Sequence, residues 1–193
     1  MQCTYVSQLL FRDAHMLRNY AFWGFTAADG FDSVASDAIH VSDSVAIGSV
    51  PSIQALGLFA TEPMEPDTLI GEYAGLLQAE ADTGRGFDPY GLSYPSVYSG
   101  GQLFVSAREY GNEMRCVNHS SRPNARFTPR VRRGILHVFC VRCIWCIVPS
   151  PVQRHLTPFD MQVTSKAIGA GEQILVDYGA SYWRVAGFKP IDC

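Results

Sequence analysis

Hydrophobic and polar residues along this chain alternate in short runs rather than in long helical stripes. AIHVSDSVAI (38–47) alternates with period two, the pattern of a half-buried strand. ALGLFAT (55–61) is a short apolar run after a Pro-Ser turn. DTLIGEYAGLL (67–77) reads as a strand in which Gly71 and Gly75 permit close backbone approach. QLFVSAR (102–108) is another. NARFTPRV (124–131) and ILHVFCV (135–141) flank Arg-Arg-Gly, which predicts a hairpin whose turn leaves Arg132 and Arg133 solvated. QILVDYG (173–179) closes the series. Before residue 38 there is no clean period, although Phe11, His15, Arg18 and Phe22 would share one side of a short helix stopped by AADG (27–30). The pattern predicts a mainly β chain with few short helices.

Composition narrows the class. A chain of 193 residues is a prior of one domain, or one plus an appendage. It can bury about 70% of its extended surface, so it needs neither disulfide nor metal to fold. Hydrophobic residues at 47% against charged residues at 17% exclude a disordered chain. A net charge of -3 excludes a bulk polyelectrolyte binder of nucleic acid. No apolar run is long enough for a membrane span, and the first residues do not read as a secretory signal. Three of the six cysteines crowd into 140–146, so they are read as reduced and the protein as intracellular.

Charge is unevenly placed. Residues 61–90 carry seven acids and one base, while 108–133 carry seven arginines and two acids. Two solvated faces are the plainer reading. An acidic groove for a basic peptide, with a basic face elsewhere, is the sharper one.

Three clusters hold the candidate chemistry. RCVNHSSRPNARF (115–127) crowds Arg, Asn, His and Ser around a single Pro, and its polar groups can hold a ligand or satisfy backbone at a crossing. GEQILVDYGASYW (171–183) delivers Asp177 and Tyr178 to a strand end beside Gly179. In ALGLFATEPMEPDTLIGEYAG (55–75), small residues beside a strand let backbone reach a cofactor. Read singly, the plainer outcomes are a structural turn, a tyrosine capping the core and an ordinary glycine turn.

In this order, GLFA (57–60), EYAG (72–75), RCVNHSSRPN (115–124) and GEQILVDYG (171–179) resemble the SET-domain family of protein lysine methyltransferases. The match runs from about residue 38 to 183. The resemblance implies a fold of small curved β-sheets with a pseudoknot beneath the NHS segment. It implies S-adenosylmethionine as cofactor and a lysine-containing protein as substrate, a histone tail among the candidates. Nucleic acid would be met only through chromatin, and no membrane is involved. Residence would be nuclear, with the cytoplasm also allowed.

Site residues follow by match to the motifs. Tyr178 falls on the catalytic tyrosine, and Tyr90 in DPYGL would help wall the lysine channel. Asn118 and His119 would bind the cofactor, Leu56, Gly57 and Leu58 would run along it through backbone, and Arg115 would hold the segment. Trp183 would lie against the adenine. Domain boundaries are expected at 38–183, with an extension at 1–37 and a tail at 184–193. A second reading stays open: a catalytically inactive SET-like module that binds a peptide or chromatin partner.

The chain departs from the family pattern in places. Ala55 stands where Gly is usual, Ser121 where many members have Cys, and no three-Cys motif follows Trp183. Residues 142–163 form an apolar, Pro-containing insert, and HVFCV would join TSKAIGAGEQ smoothly without it. A retained intron would explain this, and a genuine surface loop is the rival reading. Cys140, Cys143 and Cys146, with His137 or His155, invite zinc. On a strand, however, three-residue spacing sends alternate thiols to opposite faces, so buried or unpaired thiols are favoured and no metal is expected.

Overall fold

Short strands with one polar face must find partners far along the chain, and this fold is built from such pairings. The structure is a computed structural model that describes residues 2–12, 41–79, 86–94, 103–132, 135–142, 167–187 and 189–190. The helix expected before residue 38, Cys143, Cys146, His155 and nearly all of the 142–163 insert lie outside the described residues. The chain divides into two units. The first comprises Met1–Asp43, Ile70–Arg115 and Phe127–Cys140; the second comprises Ser44–Leu69, Cys116–Arg126 and Val141–Cys193.

The first unit contains β1 (Thr4–Tyr5), most of β4 (Leu69–Glu72), β5 (Leu76–Ala79), β6 (Gly91–Tyr94), β7 (Leu103–Ser106) and β8 (Tyr110–Gly111). It also holds most of β10 (Ala125–Arg132) and of β11 (Ile135–Arg142). β5 and β6 flank β7 antiparallel, and β10, β11 and β4 form a second sheet in that order. β1 runs parallel to β8. The core contains Ile70, Leu77, Val105, Met114 and Phe139, all fully buried.

DTLIGEYAGLL, read from sequence as one strand, is two, with a break at 73–75. The Tyr73 N–H still bonds Val138 on one side, whereas Leu77 already bonds Leu10 on the other. Gly75 lies at the change of sheet, where a methyl group would overlap the Ser106 carbonyl. The expected hairpin of β10 and β11 is present.

Within the second of these sheets, β4 and β11 carry a buried ionisable pair. The Glu72 side chain is 1% exposed, and its Oε1 lies 2.7 Å from His137 Nδ1. The backbone carbonyl of Glu72 accepts from the Asn112 amide at 2.8 Å.

The second unit contains β2 (Val45–Val50), β3 (Ala55–Ala60), β9 (Asn118–His119), β12 (Leu175–Val176) and helix α1 (Gly179–Ala186). β2 and β3 form a hairpin through a short 3-10 turn at Pro51–Ile53, and Gln54 takes the left-handed conformation at φ 52°. The period-two run 38–47 contributes only its end to β2; residues 41–44 are turn and irregular. QILVDYG contributes just Leu175–Val176, which pair parallel with Asn118 and His119. Asn124 locks that pairing. Its amide donates to the Gln173 carbonyl at 2.9 Å, and its Oδ1 accepts from the Leu175 N–H at 2.8 Å. One side chain thus supplies both halves of a missing ladder rung, the crossing role open to this polar cluster. Leu58, Ile168, Ile174 and Val176 fill the core of this unit.

Candidate functional site

In the second unit the chain brings three distant segments together through backbone groups. Asn118 lies on β9, and its amide donates to the Leu56 carbonyl of β3 at 2.9 Å. Ile174 donates to the Leu58 carbonyl at 2.7 Å. Leu58 is fully buried, whereas Leu56 is 56% exposed, so β3 offers one apolar side chain to solvent beside the Asn118 amide. Gly57 is there for space. A methyl on it would come within 2.7 Å of Gln173 Nε2 and of Val50 Cγ2. Ala55 is not among the residues with positive φ, so its backbone makes no demand for glycine.

The parallel pairing of β12 with β9 carries Tyr178 to His119. The Tyr178 N–H donates to His119 Nδ1 at 3.2 Å. In that bond Nδ1 is an acceptor, so the imidazole is neutral with its proton on Nε2. Asp177 Oδ1 lies 3.6 Å from the same nitrogen, but it accepts from the Gly179 N–H at 2.8 Å. Against a neutral ring it is a neighbour rather than an ion-pair partner. The Tyr178 hydroxyl donates to the Val117 carbonyl at 2.8 Å, which pins the phenol next to β9.

Directly after Tyr178 the chain turns into α1, and Gly179 at φ +79° makes that turn. The helix brings two more rings. Tyr182 meets Tyr178 edge-on at 4.7 Å, and Trp183 stacks with Tyr178 at 5.8 Å. Trp183 also meets His119 edge-on at 4.9 Å. Ring pairs of this kind contribute about 0.5–1.5 kcal/mol each beyond buried area.

Two of the residues singled out by sequence belong to the first unit, and they lie together. The Arg115 guanidinium carbon stands 4.1 Å from the Tyr90 ring centroid. The Tyr90 N–H donates to Asp88 Oδ1 at 3.0 Å, and its carbonyl accepts from the Tyr73 hydroxyl at 2.7 Å. A cation over a ring contributes from about 0.5 kcal/mol in water to about 2 kcal/mol when desolvated.

Leu56, Gly57, Leu58, Asn118, His119, Tyr178 and Trp183 are therefore assembled in one unit, and Arg115 with Tyr90 in the other. Sequence reasoning passed over Tyr182, the Val117 carbonyl and the full role of Asn124. The spacing of Tyr182, four residues after Tyr178, was its available signal. Among the described residues, no group of three or more His, Cys, Asp or Glu is placed to hold a metal ion. Cys3, Cys116 and Cys140 are not joined in a disulfide.

With this geometry in hand, likeness to known proteins is informative. A SET-domain family model matches residues 55–145. Inactive histone-lysine N-methyltransferase 2E of Mus musculus is 32% identical over 88 residues, which are 42% of this chain and 5% of that protein. Histone-lysine N-methyltransferase MEDEA of Arabidopsis thaliana is 33% identical over 85 residues, 42% of this chain and 12% of that protein. The chain thus corresponds to a small part of the curated relatives it matches. Among solved structures, ATXR5 in complex with a mono-methylated histone H3.1 superposes with a TM-score of 0.60 at 12% identity, covering 92% of this chain and 81% of that one. An apo Polycomb Repressive Complex 2 chain superposes with a TM-score of 0.54 at 20% identity, covering 76% of this chain and 16% of that one. At these identities the likeness establishes the fold, which is that of SET-domain proteins.

Proposed function

We propose that this chain, whose residues 55–145 match a SET-domain family model, is an S-adenosylmethionine-dependent protein-lysine N-methyltransferase. One observation carries the reading: the Tyr178 phenol is anchored to the Val117 carbonyl beside His119 and Asn118, and Asn118 in turn holds β3. Hydrogen bonds between side chains and backbone join residues 59 to 62 apart in sequence around this segment.

The residues present fit the cofactor. Gln173 Nε2 is buried beside Gly57 without a hydrogen-bond partner among the described residues, so this side of β3 has a donor to spare. Leu56 offers apolar surface, the Asn118 amide offers polar groups, and Trp183 offers a ring. That mixture suits a ligand with a nucleoside and an amino-acid end. Asn118, His119, Leu56, Gly57, Leu58 and Trp183 would hold it. When bound, it supplies a sulfonium-linked methyl group for in-line transfer to an amine.

The chain's own task is alignment and charge. The acceptor lysine must present a neutral amine. The Tyr178 hydroxyl donates to the Val117 carbonyl, and a phenol oxygen so oriented would favour the positive charge that shifts from donor to amine. Tyr90 would wall the lysine stem, whose methylenes favour aromatic contact. The substrate would be a histone or another basic protein, which suits the acidic stretch 61–90, and residence would be nuclear. The catalytic domain would span 38–183, with 1–37 and 184–193 as flanking segments.

A second reading is an inactive SET-like module for a peptide or chromatin partner. Similarity does not separate the two, because one matched relative is called inactive and another is not. Calorimetry with S-adenosylhomocysteine followed by radiolabelled transfer to core histones does. Micromolar binding with incorporation of label supports the enzyme. Binding without label on any lysine substrate supports the module, and no binding defeats the cofactor assignment.

A further inference from the structure

We propose that Arg115 is a positioning residue for Tyr90, so that it acts on the lysine side of the site rather than on the cofactor. The proposal rests on the methyltransferase reading for what Tyr90 does. The clamp itself rests on geometry within the first unit.

Arg115 is in the wrong setting for an ordinary surface arginine. Its Nε is buried and has no hydrogen-bond partner among the described residues. Its guanidinium lies instead over the Tyr90 ring, 4.1 Å from the centroid. The carboxylate closest in sequence to that ring serves others: Asp88 accepts from Ser106 at 2.5 Å, from Arg108 Nε at 3.2 Å and from the Tyr90 N–H at 3.0 Å. The ring face is thus the partner that the geometry gives this cation.

The surroundings are shaped for the contact. Gly111 leaves room for the arginine stem, since a methyl there would lie 3.3 Å from Arg115 Cδ and 3.1 Å from Ala107. Tyr90 cannot slide away. Its N–H is held by Asp88, and its carbonyl by the Tyr73 hydroxyl and the Ala107 N–H at 3.1 Å. Both backbone groups of Tyr90 are thus held, and one face of its ring is covered. A guanidinium stays charged at every working pH, and its flat shape matches a ring face. Lysine would keep the charge and lose the stack. The covered face is also closed to a substrate ammonium, so the lysine would be met by the other face, the edge or the hydroxyl of Tyr90.

The full chain tests this without relying on turnover. In a nitrogen-15 spectrum of arginine side chains, the Arg115 Nε–Hε signal, identified by its loss in Arg115→Lys, should be shifted upfield by the ring current. Tyr90→Leu should abolish that shift and Tyr90→Phe should keep it. A signal indifferent to Tyr90→Leu overturns the clamp. In transfer assays, Arg115→Lys should lower kcat/KM for a lysine peptide several-fold with unchanged affinity for S-adenosylhomocysteine. Weakened cofactor affinity with normal peptide kinetics overturns the assignment and returns Arg115 to the cofactor side. If the parent chain transfers no methyl group, the methyltransferase reading falls, while the resonance still decides the clamp.

Discussion

In the second unit, Tyr178 is held by neutral groups: a backbone carbonyl at its hydroxyl, a neutral imidazole at its N–H, and two rings from α1. In the first unit, Tyr90 lies under a guanidinium, its N–H meets a carboxylate, and the Glu72–His137 pair is buried in the same unit. Neutral hydrogen bonds each contribute about 1 kcal/mol and are tolerant of loss. Buried charges are not, because removing one partner strands the other. The first unit should therefore break through its charges and the second through its fit.

The largest effect should come from Glu72→Ala. It leaves the largely buried His137 without its carboxylate and removes a hydrogen bond to a charged group, at a cost of up to about 3 kcal/mol. Urea unfolding reads this as a lower midpoint. A loss under about 1 kcal/mol would mean that the pair does not hold β4 to β11, and the contrast between the units would weaken.

Tyr178→Phe removes one hydroxyl and should leave the fold nearly intact, at a cost of about 1 kcal/mol from the bond to Val117. Methyl transfer should nevertheless fall by about 100-fold or more, on the scale of deleting one preorganised transition-state contact. Binding of S-adenosylhomocysteine should persist. Unchanged turnover would remove Tyr178 from its role.

Two glycines give a sharper comparison. At Gly75 a methyl meets the Ser106 backbone, which cannot swing aside. At Gly57 it meets the end of the Gln173 side chain and a Val50 methyl, which can give. Overpacking costs about 1–3 kcal/mol, so Gly75→Ala should lie at or above the top of that range and Gly57→Ala near the bottom. Gly57→Ala should instead weaken cofactor binding, because it displaces the spare Gln173 donor. Equal stability losses would show that the two approaches are equally rigid.

The same two glycines mark what was legible in the sequence. The Arg-Arg-Gly turn between two strand-like runs made the hairpin β10–β11 legible, whereas the run 38–47 overlaps β2 only at its end and its pairing with β3 was not read. The break at 73–75 was invisible because its cause, the Ser106 carbonyl, lies 31 residues beyond Gly75. β9 and β12 have two residues each, too few to show a period, and their pairing depends on Asn124. Motif order made Asn118, His119 and Tyr178 readable as one group. The Arg115–Tyr90 contact joins residues of two motifs that no periodicity links; the fold alone brings them together.

The last effect, absent at neutral pH, is a response to alkali in the first unit. Burial pushes the Cys140 thiol up from 9.0 to about 12. Burial, and then the Glu72 charge, also push the Tyr94 phenol up from 10.0. Both groups keep their protons in the folded chain at pH values where the unfolded chain has lost them. The folded state then binds more protons than the unfolded state, so stability falls as pH rises. For Cys140 the window opens near pH 9 and closes near 12, with a slope of at most about 1.4 kcal/mol per pH unit. Below pH 8 neither group contributes any pH dependence. Melting temperature should therefore be flat in this respect from pH 7 to 8 and decline from 9 to 10.5. Cys140→Ala should melt lower throughout because of its small cavity, yet decline less steeply. A variant that declines as steeply as the parent would assign the alkaline loss to Tyr94, whose hydroxyl donates to the Leu136 carbonyl at 2.8 Å in the same unit. A parent chain that shows no decline would mean that Cys140 and Tyr94 ionise in the folded state, and that the core of the first unit admits charge more readily than its burial implies.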